Sequence, residues 1–342
     1  AETIKNTAVA QPLIVAAGLV SLLEVFPHPS EAYAAIGAGA GHSVGELTVA
    51  VGAGVLSAEQ AMVFVRERGA AMATAAATTP TGMTAVLGGE EAEVLAAITA
   101  AGLTPANMNG AGQIVAAGTI EQLDNFETNP PAGTRRIRLQ VAGAFHTEHM
   151  RPAVGVLANY ARAISTHDAR VPLLSNADGQ VVREGRDILT RLVTQVANPV
   201  RWDLCMQTMA DMGVTALIEL PPAGTLAGLA KRALPGVEIV TVKTPEDLPA
   251  AHDLIARHGQ TAAAADEPTW RLVVAPAKGT FRRSDDREEF AAGATIGTIT
   301  SLRETIDIVT PHAGVVVEWL AVDGDPVNPG QGIVRLHPVA GQ

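Results

Sequence analysis

Gly41-His42-Ser43-Val44-Gly45-Glu46 is the stretch on which the fold of this chain turns. It contains a G-x-S-x-G pattern, the sequence form of a nucleophile elbow, in which a strand bends sharply into a helix with a serine at the bend. Small residues flank Ser43 because a bulky neighbour would block both the bend and the approach of a substrate carbonyl. The next main-chain N–H, that of Val44, then lies at a helix N-terminus, where it can point at a developing oxyanion. By itself the pattern is equally a glycine-rich strand-to-helix turn. A dinucleotide-binding reading of Gly37-Ala38-Gly39-Ala40-Gly41 fails on spacing, because the sixth position of G-x-G-x-x-G is His42.

Outward from the elbow, residues 1–80 read as helix, glycine-rich strand, elbow and helix. Residues 57–76 are helical, with Ser57 as N-cap, Gln60 three residues on, and apolar residues at helical spacing. Residues 81–143 change rhythm to β-α-β-β-α-β, with a turn at Asn109-Gly110, which predicts an inserted ferredoxin-like subdomain. Residues 144–258 return to alternating strands and helices, including a helix that stops before Asn198-Pro199. Residues 259–268 are a linker by composition. Residues 269–342 are all β, and 275–281 (APAKGTF) resembles 310–316 (TPHAGVV). Each copy leads to a glycine turn, Ala292-Gly293 and Asp323-Gly324, so two copies of one unit predict a small pseudo-twofold sandwich.

Composition sets the outer bounds. The chain has 342 residues, 47% hydrophobic and 17% charged, enough for two or three domains with a sizeable core. Aromatics are only 3%, so alanine, valine, leucine and glycine build that core. The apolar stretch from Ala8 to Leu23 is interrupted by Gln11, Pro12 and Ser21, and no run reads as a transmembrane helix. One cysteine, Cys205, excludes an internal disulfide and suits a reducing, cytoplasmic setting. A net charge of −11 disfavours nucleic acid as a partner.

Several further motifs occur in a fixed order: TAVAQPLIV, AGHSVGELTVAVGAGVLS, RGAAM, NMNGAGQIVAAG, VAGAFHTEHM, NPVRW and ELPPAGTLAGLAKR. Over roughly residues 1–245 the chain resembles the malonyl-CoA:acyl-carrier-protein transacylases. The resemblance implies an α/β-hydrolase-like core (1–80 and 144–258) carrying the ferredoxin-like subdomain (81–143). It implies that Ser43 attacks the thioester and His146 relays the proton. The histidine is then oriented by the main-chain carbonyl of Gln195, with Val44 as oxyanion donor. Arg68 would bind the free malonyl carboxylate through two parallel hydrogen bonds, Asn109 would lie near the substrate, and Phe145 would leave no room for an α-methyl group. Malonyl-CoA and acyl carrier protein are the implied partners, with no metal or bound cofactor and no membrane. Carrier proteins of the family are acidic, so docking calls for local basic residues; Arg135, Arg136, Arg138, Lys231 and Arg232 are the candidates. His42 and His149 read as ordinary histidines, and Asp203 is the one acid considered as a third catalytic group.

The chain also departs from the family. The family usually begins with a strand and a G-Q-G-x-Q loop whose glutamine N–H is a second oxyanion donor, and no such motif occurs here. The expectation is a fragment of a longer reading frame or, failing that, a weakened enzyme. Residues 269–342 resemble biotinyl or lipoyl carrier domains, which form a flattened barrel and modify a lysine at a hairpin tip. Here the hairpin reads Ser301-Leu302-Arg303-Glu304, with Arg303 at the lysine position, and the domain's only lysine is Lys278. A guanidinium stays protonated and cannot form the usual amide, so neither biotin nor lipoate is expected. Two rivals stay open on sequence alone. One is a serine esterase with an acid-assisted triad, and the other is a non-catalytic scaffold.

Overall fold

The computed structural model describes residues 6–259, 271–285, 287–301 and 304–338, and the chain divides into two compact units, 1–261 and 262–342. Apart from Gly259, the linker expected at 259–268 lies outside the described residues.

The first unit opens with α1 (Thr7–Val25), whose N-cap Asn6 accepts a hydrogen bond from the Ala8 N–H. Then come α2 (Pro29–Ala35), β1 (Gly39–Ala40), α3 (Gly45–Gly52) and α4 (Ala58–Ala76). On length and composition α1 is apolar enough to cross a membrane, with a mean hydropathy of 1.9. The sequence expectation missed this because Gln11 and Pro12 break the apolar run. The helix packs against α3 and α4, and its buried Gln11 is tied to Arg68 on α4. α4 begins with a reciprocal capping box between Ser57 and Gln60. Its core face runs Ala61, Phe64, Val65, Arg68 and Met72 at helical spacing. One position in that apolar stripe is a charge, and it is the one at which the site is built.

The middle of the unit is β2 (Thr81–Gly88), α5 (Glu91–Ala100), β3 (Thr104–Gly110), β4 (Gln113–Thr119), α6 (Ile120–Thr128) and β5 (Thr134–Arg138). The strands lie in the order β5-β2-β4-β3, every neighbouring pair antiparallel. The β3–β4 turn is Ala111-Gly112, closed by the Gly110–Gln113 pair, two residues later than Asn109-Gly110; Gly110, Ala111 and Gly112 all have positive φ. One sheet face packs Val86, Ile98, Ile114, Leu123 and Phe126 with the helices. The other packs Met83, Ala85, Val115 and Ala117 around Ala144, with Leu139 and Phe145 alongside. That second face supports the segment leading to His146.

The chain continues through α7 (Arg151–Ala161), β6 (Leu173–Leu174), β7 (Val181–Val182), α8 (Gly185–Thr194), β8 (Val200–Arg201) and α9 (Trp202–Asp211). It ends the unit with β9 (Ala216–Glu219), α10 (Thr225–Ala233), β10 (Glu238–Thr241) and α11 (Leu248–His258). The core strands form two short sheets: β1 pairs parallel with β6, and β9 parallel with β10. Residues 171–179, which read in the sequence as a strand leading to a turn, hold Leu173 and Leu174 in register with β1 and then turn at 176–178. β8 runs parallel to β3 and so stitches the core to the middle sheet. Glu219, in the ELPPAG motif, has a structural job: its carboxylate accepts from the N–H groups of Gly224, Leu226 and Ala227 at the start of α10.

The second unit contains β11 (Arg271–Val274), β12 (Gly279–Arg283), β13 (Glu289–Phe290), β14 (Thr295–Thr300), β15 (Thr305–Val309), β16 (Gly314–Trp319), β17 (Pro326–Val327) and β18 (Gly332–Pro338). They form two antiparallel sheets, β11-β18-β16-β13 and β15-β14-β12-β17. Shifting each strand four places along the chain turns one order into the other, which is the twofold repeat in topological form. Phe281, Phe290, Ile296, Ile299, Ile308 and Ile333 fill the core, and the paired turns carry positive φ at Gly293 and Gly324. β14 and β15 form the expected hairpin, with Thr300 opposite Thr305 and the Ser301 N–H donating to the Glu304 carbonyl. Leu302 and Arg303 lie outside the described residues. Lys278 is exposed in the turn between β11 and β12.

Candidate active site

β1 delivers the chain to Ser43, which has φ of +52°, and α3 begins two residues later. The two glycines of the elbow do different things. A Cβ on Gly41 would lie 2.1 Å from the Gly45 carbonyl carbon and 2.3 Å from the Glu46 nitrogen, so only glycine fits. A Cβ on Gly45 would meet nothing within 4 Å. The first glycine permits the bend, and beside the second there is open space.

His146 also has positive φ, +62°. Its loop is held by the Ala144 N–H donating to Thr81 Oγ1, by Thr147 Oγ1 donating to the Ala144 carbonyl, and by the His146 N–H donating to the Val196 carbonyl. The ring meets Ser43: Nε2 lies 2.9 Å from Ser43 Oγ, and Nδ1 lies 3.0 Å from the Gln195 carbonyl oxygen. A carbonyl only accepts, so the proton belongs on Nδ1 and Nε2 is left to accept from the serine hydroxyl. Burial, followed by the nearby Arg68 charge, pushes the imidazole down to about 3, which leaves it neutral at neutral pH. Gln195 stands in a 3-10 turn, Gln195–Ala197, after α8 rather than inside a continued helix as the sequence suggests. Asp203 does not reach His146; its carboxylate is held by Arg201 at 2.8 and 3.0 Å.

Arg68 is buried, and among the described residues it pairs with no carboxylate. Its guanidinium is held by neutral acceptors: Nη1 donates to Gln11 Oε1 at 2.5 Å, and Nη2 donates to Gln195 Oε1 at 2.8 Å and to Ser43 Oγ at 3.1 Å. Burial lowers its pKa to about 10, with Glu46 pulling the other way, so it stays charged. Arg66, two residues earlier, is exposed and paired with Glu67. Asn109 is buried and its Oδ1 lies 3.0 Å from His42 Nε2, with the His42 ring 5.6 Å from that of Trp202. His42, read as an ordinary histidine, is thus wedged between Asn109 and Trp202, and desolvation lowers its pKa. Phe145 is half-buried beside the middle sheet.

Three residues of the site escaped the sequence reading: Gln11, Glu46 and Asn176. Asn176 clamps the elbow from both sides, accepting from the Ser43 N–H at 2.7 Å and donating to the Gly41 carbonyl at 2.8 Å. Glu46 lies below the elbow and accepts from the Asn176 N–H and from Gln195 Nε2, both at 2.8 Å. Desolvation pushes its carboxyl up to about 8 against those two bonds and the Arg68 charge. The only sequence signals were positional, Gln11 inside the AQP segment and Glu46 at the end of the elbow hexapeptide. Among the described residues no group of three or more His, Cys, Asp or Glu could hold a metal ion.

Beside the site runs a groove of about 500 Å³, lined by Ala85, Leu87, Ile137, Leu139 and, from α10, Arg232. Ala85 and Leu139 also pack in the cluster that includes Ala144 and Phe145, so its inner end borders the His146 loop. Arg135 shares the face of Ile137 on β5, whereas Arg136 and Arg138 point to the opposite face. Arg138 is there engaged by Asp124 and Glu127 of α6.

Residues 2–248 match the family model described as an acyl transferase domain. The malonyl CoA-acyl carrier protein transacylase of Mycolicibacterium smegmatis is 49% identical over 252 residues, covering 72% of this chain and 86% of that protein. That of Mycobacterium tuberculosis is 50% identical, covering 72% and 82%. The crystal structure of the M. tuberculosis enzyme superposes with a TM-score of 0.70 over 73% of this chain and 83% of that one. A further neighbour, 28% identical with a TM-score of 0.68, is a malonyl-transacylase in complex with a type II polyketide acyl-carrier protein. The chain, through residues 2–248, belongs to the acyl transferase family, within its malonyl-CoA:acyl-carrier-protein transacylase branch.

Proposed function

We propose that this chain moves a malonyl group from malonyl-CoA to the phosphopantetheine thiol of an acyl carrier protein, supplying units for fatty-acid synthesis. Ser43 Oγ attacks the thioester carbonyl as His146 Nε2 takes its proton. The oxyanion forms beside the Val44 N–H at the start of α3. The carbon–sulfur bond then breaks, and the coenzyme A thiolate takes the proton back from His146, leaving a malonyl ester on Ser43. In the second half the carrier thiol gives its proton to His146 and attacks the ester, and Ser43 recovers the proton. Gln195 keeps the ring in the working tautomer throughout.

One observation carries the reading: a buried guanidinium, 3.1 Å from the nucleophile, that pairs with no carboxylate among the described residues. Burying a charge without a partner is unfavourable, and a malonyl carboxylate is the partner this geometry suits. An acetyl group has no such carboxylate. The carboxylate would also offset the Arg68 charge that weakens His146 as a base. Asn109 and Phe145 would line the acyl pocket, with Phe145 limiting an α-methyl group. The groove offers the pantetheine arm an apolar path, and Arg135 and Arg232, with Lys231 beside them, suit an acidic carrier better than Arg136 or Arg138.

In the same reading the core is α/β-hydrolase-like over 1–80 and 144–258, with a ferredoxin-like insert over 81–143. Its support is the strand order β5-β2-β4-β3. Residues 269–342 form a biotinyl/lipoyl-like flattened barrel that carries no cofactor, supported by the twofold strand order and by arginine at position 303.

The test is intact-protein mass spectrometry after mixing with malonyl-CoA. A malonyl-sized gain, weak with acetyl-CoA and lost in Ser43→Ala, is expected. A folded protein that gains no mass overturns the reading.

A further inference from the structure

We infer that Glu46 is a positioning residue for acyl selection: through the side-chain amide of Gln195 it fixes where the Arg68 guanidinium points. The inference rests on the malonyl-transfer reading and adds to it a residue that touches neither nucleophile nor acyl group.

The Gln195 side chain lies between a guanidinium and a carboxylate. Its NH₂ end donates to Glu46 Oε2 at 2.8 Å and to Asn176 Oδ1 at 3.1 Å, and its oxygen accepts from Arg68 Nη2 at 2.8 Å. A reversed amide would set its N–H donors against guanidinium N–H donors, and its oxygen against two other oxygens. Three bonds would become three repulsions. Both Glu46 oxygens act as acceptors, Oε1 from the Asn176 N–H and Oε2 from Gln195 Nε2, so the carboxyl group fixes the direction of the amide, and the amide fixes the inner edge of Arg68. Gln11 holds the other terminal nitrogen, Nη1. With both nitrogens anchored, the guanidinium stays beside Ser43 Oγ in the absence of substrate, pre-organised for a carboxylate.

The charges around Glu46 agree with this role. Arg68 faces it across Gln195, and Arg191 from α8 faces it from the other side, where both line a small cavity with Ser175. Neither arginine forms an ion pair with Glu46; Arg191 is engaged by Asp178 and Asp187. The bond to Gln195 is therefore Glu46's direct link to the acyl-binding group. Its second oxygen holds the Asn176 N–H, and through Asn176 the elbow. A purely structural role would act through that second branch and affect all acyl groups alike.

The experiment measures second-order rates of Ser43 acylation by malonyl-CoA and by acetyl-CoA in wild type, Glu46→Gln, Arg68→Ala and the double variant. Glu46→Gln keeps the shape and puts an N–H donor in place of one acceptor oxygen, where it faces the N–H of Asn176 or of the Gln195 amide. It is expected to lower the malonyl-to-acetyl ratio by about tenfold or more, and to leave that ratio unchanged once Arg68 is already alanine. Equal losses for both acyl groups, or a ratio change that persists in the Arg68→Ala background, overturns the inference. If Glu46→Gln melts below the assay temperature, Glu46→Asp, one methylene shorter, takes its place with the same expectation. A wild type that forms no malonyl ester overturns the malonyl reading and this inference together. A wild type that does, with an unchanged ratio in the variant, overturns this inference alone.

Discussion

The two units of the chain differ in what they bury. The first buries Gln11, Arg68, Asn109, His146, Asn176 and Gln195, all bonded to one another or to the elbow. The described residues of the second bury one polar side chain, Thr310, whose hydroxyl donates to the His312 carbonyl two residues on. Its core is otherwise phenylalanine, isoleucine, valine, leucine and alanine. Buried polar groups are tolerated only when bonded, and a charge costs more than an amide. On the proposed reading, Arg68, which has no carboxylate partner among the described residues, holds that place for a ligand's charge. The described residues of the β unit keep no such place, so chemistry is expected from the first unit.

The largest effect that would break this contrast is loss of acylation on removing Ser43. Ser43→Ala should lower malonyl transfer by on the order of 10⁴-fold or more, read by mass gain on the protein and by release of free coenzyme A. Residual acylation at near wild-type rate would place the nucleophile elsewhere, and the β unit would then have to be searched.

Next comes Arg68→Ala. Losing the guanidinium should lower the malonyl rate by about a hundredfold, the scale of a lost charge-assisted pair, with a much smaller loss for acetyl. The same variant carries a pH signature. His146 acts as a base only when neutral, and its low pKa, about 3, is partly due to the Arg68 charge. Removing a positive neighbour favours the imidazolium and raises that pKa. The acid limb of the acetyl-transfer profile should therefore move to higher pH, whereas an unmoved limb would show that burial alone sets the histidine.

A smaller effect is expected on the carrier. Arg232→Glu, or Arg135→Glu on the same β5 face as the groove residue Ile137, should raise KM for acyl carrier protein by about tenfold at low salt and less at high salt, while Arg138→Glu changes it little. Equal effects from Arg138 would put the docking face on the α6 side of the sheet.

Much of this was legible in the sequence, for a physical reason. Ser43, His146 and Arg68 sit in local motifs whose neighbours are dictated by tight backbone geometry: glycine at 41, positive φ at 43 and at 146. The helices were legible where a cap and an apolar stripe coincide, as at Ser57-Gln60 on α4. Glu46, Gln11 and Asn176 were not, because their meaning lies in contacts 149, 57 and 133 residues away in the chain. Nothing local separates Glu46 from an ordinary acid in the first turn of a helix. The core strands were overestimated because apolar runs were read as strands. Leu173 and Leu174 alone hold the β1 register, and the turn that the sequence places after them is bound through Ser175, Asp178 and Gln180.

The smallest expected effect on activity accompanies the largest on stability, and it sharpens the contrast from the other side. Phe281 is fully buried at the centre of the β unit, packed with Trp319 and against Gly297. Phe281→Ala should destabilise that unit by about 3–5 kcal/mol through lost apolar burial and the cavity left behind. Calorimetry should show one transition moving down and a second, belonging to residues 6–259, staying in place. The rate of Ser43 malonylation below the first transition should equal that of wild type, because among the described residues the side-chain bonds of Ser43, His146 and Arg68 are made within the first unit. A fall in that rate in step with the lowered transition would mean the β unit supports the site through the fold as a whole. The near-absence of buried polar side chains among its described residues, Thr310 apart, would then say nothing about its share in the chemistry.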